Sequence, residues 1–320
     1  MSDRGTLLKI VNLKKYFETP YGLLHAVDNL TFDINEGETL GVVGESGCGK
    51  STLGRCILQL IKPTSGEIYF EGKDILKYNE QELKKLRTKM QIIFQDPYSS
   101  LNPRMTVAQS IEAPLILQGL YDKRDRGAID SRVSELMELV GLAKRFVNAY
   151  PHELDGGRRQ RIGIARALSL NPKFIVCDEP VSALDVSIQA QILNLMQDLQ
   201  AELGLTYLFI THDLSVVKHI SDNIVVMYLG QFVERGTSEA LFKNPKHPYT
   251  KALLSAIPVP DPDIRQKDVV LTGELSSPIN VGGGCRFAKR CPEATSDCSR
   301  NELREVEAEP GHFVLCGRYL

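Results

Sequence analysis

Gly44-Glu45-Ser46-Gly47-Cys48-Gly49-Lys50-Ser51-Thr52 fits G-x-x-x-x-G-K-[ST], a loop that wraps a chain of phosphates. Its context is the one the motif requires. Ahead of it, Thr-Leu-Gly-Val-Val at 39–43 reads as a buried strand between the turn-formers Gly37 and Gly44. Behind it, Leu53, Ile57, Leu60 and Ile61 recur at helical spacing over 50–61. Glycines let backbone N–H groups turn inward around an anion, and the helix N-terminus adds positive partial charge. Lys50 brings a point charge to the terminal phosphates, and the Ser51 hydroxyl brings a ligand for magnesium.

At 320 residues the chain is long for one domain and suggests a large domain with a smaller one attached. A hydrophobic content of 42% supports a real core, and 24% charged residues mark a soluble globular protein. The formal charge of −2 gives no global reason to expect a nucleic-acid partner. No apolar run nears the length of a bilayer crossing, and 1–15 lacks the apolar core of a signal peptide. The expected place is the cytoplasm, with any membrane reached through a partner. Of seven cysteines, Cys48, Cys56 and Cys177 are scattered, while Cys285, Cys291, Cys298 and Cys316 crowd toward the end. In a reducing compartment such a group points to metal before disulfide.

Strands are expected at 7–12 and 30–34, with Tyr16 and Phe17 in a lysine-bearing loop between them. An aromatic there can stack on a nucleotide base or equally serve as a core or edge residue. The stretch 67–70 before Glu71-Gly72 reads as strand and turn, and 90–94 as a short strand delivering Gln95 to the turn at Asp96-Pro97. From 106 to about 146 the pattern is helical, with Val133, Leu136, Met137 and Val140 on one face before Gly141. That marks a helical subdomain inserted into an α/β core. A second, arginine-rich helix opens at 154–157 and runs to about 170.

A buried strand at 173–177 then ends in Asp178-Glu179-Pro180, a helix spans 187–203, and a strand at 205–210 precedes Thr211-His212-Asp213. A last strand is expected at 223–228. Strands alternating with helices predict a largely parallel sheet whose ligands bind at the strands' carboxyl ends. Gln95, Asp178, Glu179, His212 and the loop 44–52 all fall there. A carboxylate ending a buried strand, in a chain with a phosphate loop, is the expected magnesium partner, and Asp178 fits it. Glu179 beside it can polarise an attacking water, although adjacent acids at a strand end also serve as solvated turns or helix caps. His212 can sense the γ-phosphate and hold the water or Glu179 in line. Phosphoryl transfer needs positioning and charge stabilisation more than covalent chemistry, and this set offers both.

At this point the chain resembles the ATP-binding subunits of ABC transporters. The matching pieces are GESGCGKST (44–52), IIFQDP (92–97), LDGGRRQR (154–161), IVCDEP (175–180), SALD (182–185) and THD (211–213), in that family's order and spacing. NPKHPYTKALLSAIP (244–258) and the cysteine-bearing tail narrow the resemblance to the dipeptide, oligopeptide and nickel importer branch. The resemblance implies an α/β P-loop NTPase domain over 1–257, with its helical subdomain at about 97–157, and a small C-terminal metal-binding module over 258–320. It implies a subunit at the cytoplasmic face of the membrane that hydrolyses ATP with Mg2+ to power import of dipeptides or oligopeptides.

Two such subunits would sandwich two ATP molecules head to tail, and two membrane permease subunits would bind them. An extracytoplasmic binding protein would act indirectly. Each site would combine one chain's loop 44–52, Asp178, Glu179 and His212 with the other chain's Asp155-Gly156-Gly157 signature. By the same resemblance Gln95 joins Ser51 and Asp178 around magnesium and, with the helical subdomain, meets a helix of the membrane subunit. Phe17 best matches the adenine-stacking aromatic, with Tyr16 second.

One departure stands out. The family's signature reads LSGGQ, and here it is Leu154-Asp155-Gly156-Gly157-Arg158. A carboxylate at Asp155 would face the partner's γ-phosphate, and like charges about 4 Å apart cost on the order of 4 kcal/mol at an intermediate dielectric. Aspartate also caps a helix as well as serine does. The expectation drawn from the mismatch is an asymmetric pair, in which a different, intact ATP-binding subunit completes this chain's own phosphate loop.

From about 258 the composition turns to Pro, Asp and Gly, as in a linker, before Gly282-Gly283-Gly284 and Cys285-x5-Cys291-x6-Cys298-x17-Cys316. Four thiols can satisfy a tetrahedral zinc or an iron–sulfur cluster, and the spacing alone leaves the metal open, as it leaves unpaired structural thiols open. The resemblance favours a [4Fe–4S] cluster, with Zn2+ second. Besides the same engine serving a nickel or other small-solute importer, two rival functions remain at this level. One is a soluble ABC-type ATPase acting on nucleic acid or ribosomes, which a single cassette and a non-basic chain disfavour. The other is a nucleotide-gated or redox-sensing module, which Glu179 and His212 disfavour.

Overall fold

A computed structural model describes residues 5–257, 277–300 and 302–320, so the expected linker onset at 258 lies outside the described residues. The chain divides into two compact units, one of 77–208 and one built from 5–76 together with 209–320.

In 5–76, β1 (Thr6–Thr19) and β2 (Gly22–Asn35) form a long antiparallel hairpin. β3 (Thr39–Val43) is buried along its whole length and feeds the glycine-rich loop, from which α1 (Lys50–Ile57) departs. β4 (Ser65–Phe70) and β5 (Lys73–Asp74) complete a sheet of order β2-β1-β4-β5. Two expectations are corrected here. Tyr16 and Phe17 are not in a loop: they lie inside β1, opposite His25 and Leu24, because bulges in the ladder let pairing continue to the turn before Gly22. The helix after the phosphate loop stops at Ile57, not 61. Gln59 takes a left-handed φ of 54°, and Leu60 is 52% exposed rather than part of a buried stripe.

Within 77–208 the chain forms α2 (Glu80–Lys89), β6 (Met90–Ile93), α3 (Pro97–Ser100), α4 (Val107–Leu117), α5 (Arg126–Leu139), α6 (Gly156–Leu168), β7 (Phe174–Asp178) and α7 (Val186–Leu203). β8 (Thr206–Thr211) begins in this unit and ends in the other. β6 and β7 run parallel, Met90 opposite Phe174 and Ile93 opposite Cys177. The helical stretch is legible in its caps. Thr106 and Gln109 make a reciprocal capping box, and Asp125, Asp155 and Asp185 each accept a backbone N–H of the helix they start. Val107, Ile111, Ile129, Leu136 and Ile162 are buried where α4, α5 and α6 pack.

The remainder, 209–320, adds α8 (Leu214–Ile220), β9 (Asn223–Tyr228), β10 (Gln231–Thr237), α9 (Ser238–Lys243), α10 (Pro248–Ser255), β11 (Val306–Glu309) and β12 (His312–Val314). β9 runs parallel to β3, whereas β10 pairs antiparallel with β9 and with β12, and β11 closes on β12. The tail beyond 277 thus extends the sheet that carries the phosphate loop. Phe287 is buried among Tyr228, Tyr249 and His247, at ring separations of 5.2, 5.4 and 5.6 Å.

His247 starts α10. Its Nδ1 accepts the Tyr249 N–H at 3.1 Å, and its own N–H donates to Glu234. Burial pushes its pKa from 6.5 down to about 4, with Glu234 opposing and Lys251 adding to the fall. Between those values the unfolded chain binds a proton that the folded chain does not. The contribution to stability is therefore complete above pH 6.5 and is lost as pH falls toward 4. His247→Asn keeps a side-chain acceptor for the helix start but does not titrate. Its unfolding midpoint, followed by denaturant titration across that pH range, should fall less steeply on acidification than the parent's.

Candidate functional site

The loop 44–52 follows the carboxyl end of β3 and leads into α1. Gly49 sits at a φ of +111°, and a Cβ there would meet the Ala26 carbonyl oxygen at 1.9 Å, so the bend admits only glycine. No side chain caps α1, which leaves the helix N-terminus to backbone donors and whatever they hold. The Lys50 ammonium is buried and donates to the carbonyls of Gly44 at 2.7 Å and Glu45 at 3.0 Å, with Cys48 Sγ at 3.9 Å. Ser46 and Gly47 form the exposed crest of the loop, and Ser51 and Thr52 are half-buried in the first turn of α1.

Three contacts hold the loop's second residue. The Glu45 N–H donates to Tyr249 Oη at 2.9 Å, its carbonyl takes Lys50, and its carboxylate takes the Arg290 guanidinium at 2.8 and 3.1 Å. Neither Tyr249 nor Arg290 was legible as a site residue. They approach Glu45 across more than 200 positions of chain, and no local pattern announces them.

The two candidate aromatics are distinguished by their partners. The Tyr16 ring lies tilted against His25, centroids 4.1 Å apart, and its hydroxyl donates to Asp28. Asp28 also faces His25 and Arg286. Burial works to raise the Asp28 carboxyl, but the hydrogen bonds from Tyr16 and His25 and the charge of Arg286 outweigh it and hold it below the usual range. Phe17 is half-buried and carries the Lys15 ammonium 4.7 Å from its ring centre. Tyr16 is thus tied into the fold by its polar end, while Phe17 presents a ring that already receives a cation. His212 follows β8 directly and is exposed.

In 77–208, Gln95 lies two residues past β6, Asp178 ends β7, and Glu179 follows it, all at carboxyl ends of parallel strands. The structure brings Gln95 and Glu179 together: Gln95 Nε2 donates to Glu179 Oε2 at 2.9 Å. Asp178 and Glu179 are both buried, and Glu179 adopts a left-handed φ of 49°. A non-glycine residue in that region carries strain of about 1–3 kcal/mol, of the kind that collects at functional positions.

At the signature stretch, Asp155 Oδ1 accepts the Arg158 N–H at 2.8 Å and Oδ2 takes the Arg158 guanidinium at 2.6 Å. Aspartate therefore caps α6 as expected, and it is also paired with the arginine standing where the family has glutamine. A Cβ on Gly157 would meet Ile188 Cγ2 at 2.7 Å.

The four C-terminal cysteines are neighbours. Cys285 lies close enough to Cys316, Cys298 and Cys291 to interact electrostatically with each, and its N–H donates to the Cys298 carbonyl at 2.6 Å. Burial pushes the Cys285 and Cys291 thiols up to about 11 and raises Cys316. The expected metal-binding module is not formed as such: among the described residues no three His, Cys, Asp or Glu side chains are arranged to hold a metal ion. Instead of converging on one point, Cys285 and Cys291 pack against the aromatic cluster around Phe287. Nor is any described helix long and apolar enough to cross a membrane.

Residues 27–182 match the family described as "ABC transporter", and 233–298 match "Oligopeptide/dipeptide transporter, C-terminal region". The chain is 54% identical to the putative oligopeptide transport ATP-binding protein YkfD of Bacillus subtilis, over 99% of this chain and 96% of that one. It is 51% identical to the oligopeptide transport ATP-binding protein OppF of Salmonella typhimurium, over 99% of this chain and 97% of that one. Among solved structures it is similar to the dimeric bacterial ABC transporter cassette MJ0796. That likeness has a TM-score of 0.66 and 32% identity, covering 72% of this chain and 99% of that one.

Proposed function

The chain belongs to the ATP-binding subunits of ABC transporters, in their oligopeptide/dipeptide importer family, and from that premise we infer that it hydrolyses ATP to power peptide uptake. The observation that carries the reading is the buried Lys50 ammonium at the mouth of an uncapped helix, inside a loop that only glycine can close. The subunit works with membrane permease subunits and so acts at the membrane without crossing it.

In this reading the loop 44–52 and Lys50 hold the phosphates, Ser51, Gln95 and Asp178 serve the magnesium ion, and Phe17 lies against the adenine. Glu179, positioned by Gln95, takes the proton of the attacking water, and His212 attends the γ-phosphate. Glu179→Gln should keep Mg–ATP binding while lowering phosphate release about 100-fold or more, the usual scale for loss of a general base. Lys50→Ala should lose ATP binding itself. Release of phosphate by both variants at the parental rate would defeat the assignment.

The partner across the ATP is a second ATP-binding subunit, and the reading extends to an asymmetric pair. Asp155 supports it, because a carboxylate stands where a hydroxyl would meet the partner's γ-phosphate. Its pairing with Arg158 cancels much of the net charge, so what remains missing is a neutral donor rather than a tolerable sign. Asp155→Ser preserves the helix cap and should raise the ATPase rate of the chain purified alone, whereas that of the mixed pair should change little. A parental chain that turns over alone as fast as the mixed pair removes the asymmetry.

For the tail, the donor chemistry of four neighbouring thiols supports a four-cysteine centre, [4Fe–4S] before Zn2+, with a structural role. No step of ATP hydrolysis passes through it. An anaerobic absorption spectrum with iron and zinc analysis distinguishes the cases. A visible thiolate-to-iron band with iron present supports the cluster, and a colourless, zinc-loaded protein refutes it.

A further inference from the structure

The segment Cys285-Arg286-Phe287-Ala288-Lys289-Arg290-Cys291 folds as one turn, with Ala288 N–H to Cys285 O at 3.1 Å and Arg290 N–H to Phe287 O at 2.9 Å. Phe287 anchors the turn in the aromatic core, and the two arginines leave it toward separate parts of the nucleotide-binding unit. Arg286 donates to the Leu229 carbonyl and to Asp28, which the Tyr16 hydroxyl and the His25 ring also contact. Arg290 grips the Glu45 carboxylate with both terminal nitrogens while its guanidinium lies 5.9 Å over the Tyr228 ring. Its side chain is 9% exposed and that of Glu45 22%, so the pair is substantially desolvated.

A two-pronged guanidinium–carboxylate contact fixes orientation as well as charge, which an exposed single-point pair does not. Glu45 is the second residue of the phosphate loop, and a carboxylate there repels a triphosphate unless it is neutralised and turned away. Tyr249 Oη, on the same aromatic cluster, accepts the Glu45 backbone N–H.

We propose that Arg290 is a positioning residue for ATP: by pairing with Glu45 it neutralises the acid of the phosphate loop and holds the loop in its anion-accepting shape. The inference rests on the loop 44–52 being the triphosphate cradle. Arg290 touches no reacting atom, so its loss acts on affinity before rate.

The test is calorimetric titration of the purified full chain with Mg–ATP, alongside kcat and KM. Arg290→Gln keeps a polar side chain in the largely buried space and removes the charge. It should weaken ATP binding about tenfold, equivalent to about 1.4 kcal/mol, with KM rising in step and kcat changing less than threefold. Removing the acid as well, in Arg290→Gln with Glu45→Gln, should restore most of the affinity, a rescue that a general loss of stability would not show. Arg290→Lys returns the charge without the fork and should fall between the two, with a deficit that shrinks as salt is added.

A folded Arg290→Gln chain that binds Mg–ATP as tightly as the parent overturns the proposal. So does a double variant no better than the single one. Should Arg290→Gln fail to fold, Arg290→Lys with parental affinity at low and high salt alike overturns it equally. Failure of the underlying reading looks different, since the parent itself would then bind no Mg–ATP.

Discussion

A buried ammonium sets the terms for the nucleotide-binding unit. Lys50 is held by the Gly44 and Glu45 carbonyls, and those dipoles offset only part of what it costs to take an ammonium out of water. An anion supplies the remainder, which makes the loop a receptor rather than a passive turn. The surrounding structure serves to keep that cation where it is. β3 is buried at all five positions so that the loop has a rigid root, and β9 pairs with it in parallel along the same four residues that precede the bend. Gly49 allows the chain to pass within 1.9 Å, measured to the Cβ it lacks, of the Ala26 carbonyl. A larger residue there would push α1, and with it Lys50, away from the loop's carbonyls.

What was legible in the sequence follows from the range of the forces involved. β3, β7 and β9 were readable because burial on both faces demands continuous apolar runs, and α7 because its buried Ile192, Leu193, Met196 and Leu199 recur at helical spacing. The placement of Gln95, Asp178, Glu179 and His212 at strand ends was readable for the same reason, since each follows or closes an apolar run. The long hairpin of β1 and β2 was not. From Lys14 to Phe17 its positions are all half-buried, so alternation fades, and pairing with β2 past several bulges keeps 14–19 extended. α1 was read too long because Leu60 and Ile61 continue the helical period after Gln59 has already turned left-handed. β11 and β12 are short and polar outside, and they exist because β10 offers them an edge.

At the signature stretch the sequence displays a mismatch, and the side-chain geometry gives it content. Asp155 looks like a bare charge when read alone. In the structure one oxygen is spent on the α6 N-terminus and the other on Arg158, so the substitution at 155 and the substitution at 158 form one unit. That coupling was invisible along the chain because i, i+3 neighbours meet only once the helix has formed. A serine at 155 with arginine retained at 158 would leave the guanidinium without that partner. The two positions therefore have to be weighed together in any account of how the loop meets a phosphate.

The tail shows the same dependence at longer range. A cysteine-bearing segment with little apolar content of its own gains its fold from Phe287, which enters the core shared by Tyr228 and Tyr249. Once Phe287 is seated, Arg286 and Arg290 have little freedom, since they stand one and three residues from that anchor and each ends on an acid of the nucleotide-binding unit. Each arginine is also the immediate neighbour of a cysteine. A change in the spacing of Cys285 and Cys291 thus cannot occur without moving the turn that aims both guanidinium groups. The turn holds its shape through the seating of Phe287 and through backbone hydrogen bonds such as Ala288 N–H to the Cys285 carbonyl. The phosphate loop is consequently shaped from two directions, by the glycines within it and by a cysteine-flanked turn that arrives some 240 residues later in the chain.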